Sequence, residues 1–351
     1  MAGRLRGIFS SLVREGIDHM RLAMFLPPQP NEMWRLATQL GVTDAVSALP
    51  RLLPAGPPMW DFSSFLLMKQ RFADAGLTLS VIENWPPMDC IRLGLPGRDE
   101  EIEHICEMLT NMGAVGIGVW CYNFMAVFGW LRTSTSTLAR GGALVTSYDH
   151  SLMREAPLTE FGTVSEEQLW DNFAYFLERV VPVAERARVK LALHPDDPPI
   201  SPIRGIARII TSVDALKRAI ELVPSEWNGL TFCQGSIATM GADIPTAIRY
   251  FGERQKIHFV HFRDIRGTAS RFVETFQDDG PTDMLEAMRC YQGIGFDGPI
   301  RPDHVPTLEG DDNITPGYTT RGRLYAVGYM RGLMEAGQIG ELPSRSRTIE
   351  T

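Results

Sequence analysis

Along most of this chain, short continuous apolar runs alternate with longer stretches in which apolar residues recur three and four positions apart. The first pattern is that of a strand buried on both faces, the second that of a helix with one face against a core. Apolar runs fall at residues 22–26, 42–46, 77–82, 115–121, 189–193, 229–232, 257–260 and 298–301. Met33, Leu36, Ala37 and Leu40 share one face of a helix that starts at Asn31 and stops at Gly41, a residue suited to the left-handed turn after a helix. A helix from near Asp61 places Phe62, Phe65, Leu66 and Phe72 on one side. Ile102, Ile105, Cys106, Leu109 and Met112 trace another, which makes Cys106 a core residue and His104 a solvated one. Ser165 and Gln168 form a capping box ahead of Leu169, Phe173, Phe176, Leu177 and Val180. Residues 214–222 and 244–251, a stretch marked by Met284, Met288 and Tyr291, and residues 321–335 complete the series.

Eight such strands alternating with helices predict an α/β fold, a parallel (β/α)8 TIM barrel. An open doubly wound sheet is the alternative. Its nucleotide-binding versions lose support, because no glycine-rich dinucleotide turn follows the first strand and no P-loop lysine motif occurs. One stretch breaks the alternation: residues 122–163, after the fourth strand, read as a single long irregular segment. A connection of that length inside a compact domain is usually functional, often a lid. The expected organisation is one catalytic domain over 20–337, an N-terminal extension over 1–19 and a frayed polar tail over 338–351. In the extension Leu5, Ile8, Phe9 and Leu12 stand at helical spacing among Arg4, Arg6 and Arg14. Glu15, Asp18 and the lack of an apolar segment argue against a targeting peptide. A helix covering the barrel bottom or joining an oligomer interface is expected, with a start at Met20 as the alternative.

Composition narrows the function classes. With 44% hydrophobic and 22% charged residues among 351, the chain is ordinary for a soluble globular protein. A formal charge of −8 argues against nucleic acid or an anionic membrane as the main partner, and no apolar run reaches the roughly 18 residues of a membrane span. Cys90, Cys106, Cys121, Cys233 and Cys290 are odd in number, widely spaced and without a CxxC pair. That suits a reducing cytoplasm better than a disulfide framework.

Ligand-type residues fall where a barrel puts its chemistry, at the C-terminal ends of strands. His194, Cys233, His261 and Asp303 each end one of four successive strands. Two imidazoles, a thiolate and a carboxylate suit a divalent transition metal, whereas Mg2+ and Ca2+ prefer oxygen-only shells. Each has an ordinary reading when taken singly: His194 as a cap, Cys233 as a small buried apolar residue, His261 as a satisfied core histidine. Coincidence at four strand ends is what favours the metal. His258 competes with His261 but lies inside its strand. Pro302 stops the last strand, so Asp303 and His304 sit on the turn leaving it, where a metal ligand and an acid/base group can stand side by side.

Several longer stretches resemble the mannonate dehydratases of hexuronate catabolism, over roughly residues 20–337. They are Leu-Gly-Leu-Pro-Gly-Arg-Asp (93–99), Cys-Tyr-Asn-Phe-Met (121–125), Asn-Gly-Leu-Thr-Phe-Cys-Gln-Gly-Ser (228–236) and His-Phe-Val-His-Phe-Arg-Asp (258–264), with Gly-Phe-Asp-Gly-Pro-Ile-Arg-Pro-Asp-His-Val-Pro (295–306) and Gly-Arg-Leu-Tyr-Ala-Val-Gly-Tyr (322–329). The resemblance implies a xylose-isomerase-like barrel using Mn2+ or Fe2+, with His194, Cys233, His261 and Asp303 as metal ligands. It also implies His304 and Tyr318 as the acid/base pair; Tyr318 does not follow from spacing. The implied reaction removes water from a small-molecule sugar acid, D-mannonate, giving 2-keto-3-deoxy-D-gluconate in a cytoplasmic enzyme, with a homo-oligomer as the expected assembly. Which of His304 and Tyr318 is the base stays open. Arg132, Arg263 and Arg301 are candidates to clamp the substrate carboxylate, with pairing to protein carboxylates as the ordinary alternative. Asn123 and the segment that follows are expected to close over the site. The chain departs from the family pattern at Ala126, Gly129 and Leu131 and over residues 83–87, which bears on substrate shape. A dehydratase for another sugar acid, a sugar isomerase or epimerase, and a silent binding barrel are the rival readings.

Overall fold

The computed structural model describes residues 20–50 and 56–338. The expectations for residues 1–19 and for the tail lie outside them, apart from Gln338, where the last helix ends. Eight parallel strands close on one another in the order β1 (Arg21–Phe25), β12 (Pro299–Pro302), β9 (Ile257–Phe262), β8 (Asn228–Cys233), β7 (Lys190–His194), β4 (Val119–Asn123), β3 (Thr78–Glu83) and β2 (Asp44–Ser47). This is the (β/α)8 barrel that the alternation predicts. Small and branched side chains, Ala23, Val46, Val81, Val119 and Ala192, fill its lumen with Phe259. A larger core lies between the strands and the surrounding helices.

Helices α1 (Glu32–Gln39), α2 (Phe62–Asp74) and α3 (Asp89–Leu93) precede α4 (Arg98–Val115) and α5 (Glu166–Ala187). The Ser165 hydroxyl accepts from the Gln168 amide, as the capping box requires. Next come α6 (Val213–Leu222), α7 (Gln234–Thr239), α8 (Ile244–Gly252), α9 (Met284–Gly293) and α10 (Thr320–Gln338). Three local expectations are corrected. The fourth barrel strand starts at Val119, because α4 runs through Val115 and Gly116 then takes the left-handed conformation. On α2 the buried stripe is Ser64, Phe65, Met68 and Phe72, while Phe62 and Leu66 face solvent. On α4 Met108 joins Ile102, Ile105, Leu109 and Met112 in the buried stripe, whereas Cys106 is half-buried and His104 packs on the Trp60 ring, centroids 4.6 Å apart.

The segment expected to be irregular carries strands β5 (Ser134–Leu138) and β6 (Leu144–Asp149). They join a hairpin that leaves the end of β9, β10 (Ile265–Thr268) and β11 (Arg271–Glu274), in an antiparallel sheet ordered β10-β11-β6-β5. Tyr148, Ile265 and Phe272 give this sheet its own small core. The polar Ser-Thr-Ser-Thr run of β5 hides its strand character, since its faces are largely solvated.

Candidate active site

Side chains alternate across a strand, so residues two apart share the lumen side. On β7 that row is Lys190, Ala192 and His194; on β8 it is Gly229, Thr231 and Cys233; on β9 Phe259 and His261. Arg301 and then Asp303 continue it past β12, while Val81 leads to Glu83 and Cys121 to Asn123. The last member of each row reaches the C-terminal mouth, so six polar side chains converge there.

The four expected metal ligands meet. Ligand atoms of His194, Cys233 and His261 lie within 4.8 Å of one another. Asp303 Oδ2 is 3.7 Å from Cys233 Sγ and 3.7 Å from His261 Nδ1. His194 Nδ1 lies 2.6 Å from the Pro195 carbonyl, which can only accept, so His194 Nε2 keeps its lone pair. Burial pulls His194 below the ordinary imidazole range, outweighing the pull of Asp303 and Asp197, and keeps it neutral as a ligand must be. Both ring nitrogens of His261 are buried without a hydrogen-bond partner. Orphaned nitrogens beside a buried sulfur and a carboxylate fit a divalent transition metal. His258 does not take part: its Nδ1 bonds the Leu191 carbonyl at 2.9 Å within the strands.

Above this cluster lies a cavity of about 340 Å3, lined by Glu83, Trp85, Cys121, Tyr122, Asn123, Met125, Gly129, Trp130, His194, Asp197, His304 and Tyr318. Its size suits a small metabolite. The His304 ring is held between Trp130, at 4.9 Å between centroids, and the edge of Tyr318, at 5.5 Å. The Tyr318 hydroxyl is 3.5 Å from Asp303 Oδ1, and burial pushes its phenol up, so it stays protonated. The Asn123 carbonyl oxygens accept from Arg92 at 3.0 and 3.2 Å, which fixes that residue on the wall.

The three arginines offered as substrate clamps are placed differently. None lines the cavity, and their side chains are 0–1% exposed. Arg132 grips both oxygens of Asp197 at 2.6 and 2.9 Å and also Glu274. Arg263 bridges Asp197, Glu274 at 3.1 Å and Asp303 at 2.7 Å. Arg301 takes both oxygens of Glu83 at 3.0 and 2.6 Å and Asp303 at 3.0 Å. A buried guanidinium needs a carboxylate, and the fold supplies four of them: Glu83, Asp197, Glu274 and Asp303. Burial pushes the Asp303 carboxyl up, but the groups facing it, His304 and His261 when protonated together with Arg301 and Arg263, outweigh it and hold it well below the usual range. The ordinary reading of these arginines prevails.

Asp197, Glu274 and Trp130 were not singled out in the sequence, and Glu83 and Trp85 were noted only as part of the 83–87 departure, without a role. The strand-end rule that picks His194 would also have picked Glu83, two residues after the lumen-facing Val81. Glu274 sits on the unforeseen hairpin and gave no signal. Of the family departures, Gly129 and the 83–87 segment border the cavity through Gly129, Glu83 and Trp85, Ala126 is buried, and Leu131 packs under the antiparallel sheet.

The D-mannonate dehydratase (UxuA) family model matches residues 32–161 and 155–341. A mannonate dehydratase of Thermotoga maritima is 38% identical over 331 residues, covering 84% of this chain and 91% of that relative. The crystal structure of mannonate dehydratase from Streptococcus suis serotype 2 superposes with a TM-score of 0.85 at 32% identity, over 95% of this chain and 99% of that one. A D-psicose 3-epimerase from Clostridium cellulolyticum H10 gives a TM-score of 0.58 at 13% identity, over 90% and 99% of the two chains, and shares the fold alone.

Proposed function

The chain belongs to the mannonate dehydratase family, and on that premise we propose that it converts D-mannonate to 2-keto-3-deoxy-D-gluconate with Mn2+ or Fe2+ held by His194, Cys233, His261 and Asp303. The observation that carries the reading is the meeting of those four side chains beneath a cavity whose wall bears His304 and Tyr318. When bound, the cation supplies Lewis-acid stabilisation of the negative charge that develops on substrate oxygens. The chain's own residues handle the protons. His304 and Tyr318 face the same cavity 5.5 Å apart, so one can take the proton from C2 while the other protonates the hydroxyl leaving C3. Water departs and the resulting enol becomes the 2-keto acid. Asn123 orients substrate hydroxyls, and Trp130, 40% exposed at the mouth, screens His304 from solvent.

The substitutions around Gly129 and Trp85 support a second reading in which the chemistry is the same and the sugar acid differs. A Cβ on Gly129 would meet nothing within 4 Å, so the wall there is more open than any larger residue would leave it. An isomerase or epimerase loses ground, because a thiol at the metal cluster departs from the mainly carboxylate shells of such barrels. A homo-oligomer is the proposed assembly, supported by the exposed Leu138, Leu152 and Ile314 and tested by light scattering.

The deciding experiment measures 2-keto-3-deoxy acid formed from D-mannonate with Mn2+ or Fe2+ against a chelated control. Metal-dependent product is expected. Absence of product from protein that binds the metal stoichiometrically would remove D-mannonate as the substrate, and a panel of sugar acids would then test the second reading.

A further inference from the structure

We propose that Glu274, carried by the antiparallel sheet rather than by the barrel, is the positioning residue that sets the tautomer and direction of His304, making His304 the group that accepts the C2 proton. The inference rests on the dehydratase reading above and assigns the roles that reading leaves open.

One oxygen of Glu274 gathers donors from three residues, Arg132 through both Nε and Nη2. Oε1 accepts from Arg132 Nε at 3.1 Å and from Arg263 Nη1 at 3.1 Å, and lies 2.7 Å from His304 Nδ1. An ionised carboxylate has no proton to give, so His304 Nδ1 must carry the hydrogen of that bond. A neutral imidazole has only one N–H, and its lone pair is therefore on Nε2. Nε2 lies 3.8 Å from Asp303 Oδ1, on the side of the ring that faces the metal cluster and away from the sheet. Trp130 and Tyr318 pack against the ring, and the Glu274 bond fixes the rotation they leave.

Two competing accounts are weaker. Asp197, Glu274 and His304 are close enough to hold a second cation. Unlike His261, however, whose two ring nitrogens are orphaned, His304 already has Nδ1 bonded to Glu274, and both carboxylates are engaged by Arg132 and Arg263. Glu274 could also serve only to balance the two guanidinium groups. Asp197 already pairs with both of them, Asp303 pairs with Arg263, and neither carboxylate accepts from His304 Nδ1.

In the step itself the C2–H bond breaks, its electron pair enters the developing enol, and the proton goes to Nε2. The imidazolium so formed keeps its Nδ1–H against an anion that is already in place, with no reorganisation during the reaction. Tyr318, still a phenol, is left to give its proton to the departing C3 hydroxyl.

The test is Glu274→Gln in the metal-loaded protein, read as kcat, KM, metal content and melting temperature. A kcat loss of about 10²-fold is expected, with KM changed less than about threefold and metal content unchanged. An unchanged kcat, or a rise in KM alone, would overturn the proposal and leave Glu274 as a charge-balancing or binding residue. A second measurement needs no Glu274 variant: 15N spectra of histidine-labelled wild type loaded with diamagnetic Zn2+. A protonated Nδ1 and bare Nε2 on His304 are expected, and the reverse tautomer overturns the assignment even if Glu274→Gln fails to fold. If wild type forms no product from D-mannonate, the proposed substrate falls, while the tautomer measurement still decides for or against Glu274.

Discussion

Arg301 has no exposed side-chain surface, and its guanidinium is divided between both oxygens of Glu83 and one of Asp303. Burial pushes the Glu83 carboxyl up, but Arg301 and His261 outweigh it and hold it at about 2. Removing the cation strands two carboxylates in the barrel mouth, so Arg301→Met should cost roughly 3–5 kcal/mol. A fall in melting temperature of the chelated protein checks this; an unchanged value would mean that the carboxylates repartner. Side chains nearer the cavity should behave differently. Cys233→Ser should weaken metal retention first, measured as metal content after dialysis. His304→Ala and Tyr318→Phe should keep the metal and lose most turnover, and metal loss in either would break the division between the metal cluster and the acid/base pair. His194, Cys233, His261 and Asp303 were legible because a strand end is a sequence position that the fold turns into a place in space. The arginines misled because a guanidinium looks the same in a sequence whether its partner will be a substrate or a buried Glu83.

On the roles proposed for Glu274 and His304, the β10–β11 hairpin is the element on which the acid/base geometry depends most. It holds Glu274 at its end and packs through Phe272 into the small core of the antiparallel sheet. Gly267 lies in the left-handed region at φ 131°, and a Cβ there would come 2.2 Å from the Arg271 carbonyl oxygen across the hairpin. Gly267→Val must therefore part the two strands. The barrel does not depend on them, so melting temperature should shift little, while kcat should fall by about 10²-fold as His304 loses its alignment. An unaltered kcat would show that Arg132 and Arg263 hold Glu274 without help from the hairpin. The barrel strands and helices were legible because burial on one or both faces writes a strict period into the chain. The sheet was not, because its strands are short, Ser134–Leu138 is polar on both faces, and few of its residues reach a core.

Across the whole molecule, four carboxylates are ionised inside a barrel mouth from which water is largely excluded, and that sets the response to acid. Glu83 and Glu274 are held at about 2, and Asp197 and Asp303 well below their ordinary value. In the unfolded chain such groups titrate near 4. Their folded values are depressed, so the stability they contribute is fully present above the unfolded value and is lost as pH falls through the interval down to about 2. For Glu274 alone that is a few kcal/mol, roughly 1.4 per unit of difference. Asp196 and Asp264 act in the opposite sense: burial raises them, so protonation relieves a cost as pH falls. Asp264 accepts from Ile265 and Thr282, which limits its share. The depressed groups outnumber these two and sit in direct ion pairs, so they set the sign. Melting temperature of the chelated protein should be level between about pH 5 and 7 and drop steeply below about pH 4. Glu274→Gln should flatten part of that drop, because one depressed carboxylate no longer titrates. A melting temperature that held constant from pH 5 to about 3 would mean that the arginine–carboxylate network at the barrel mouth adds nothing to stability and serves only to place His304 and the metal cluster.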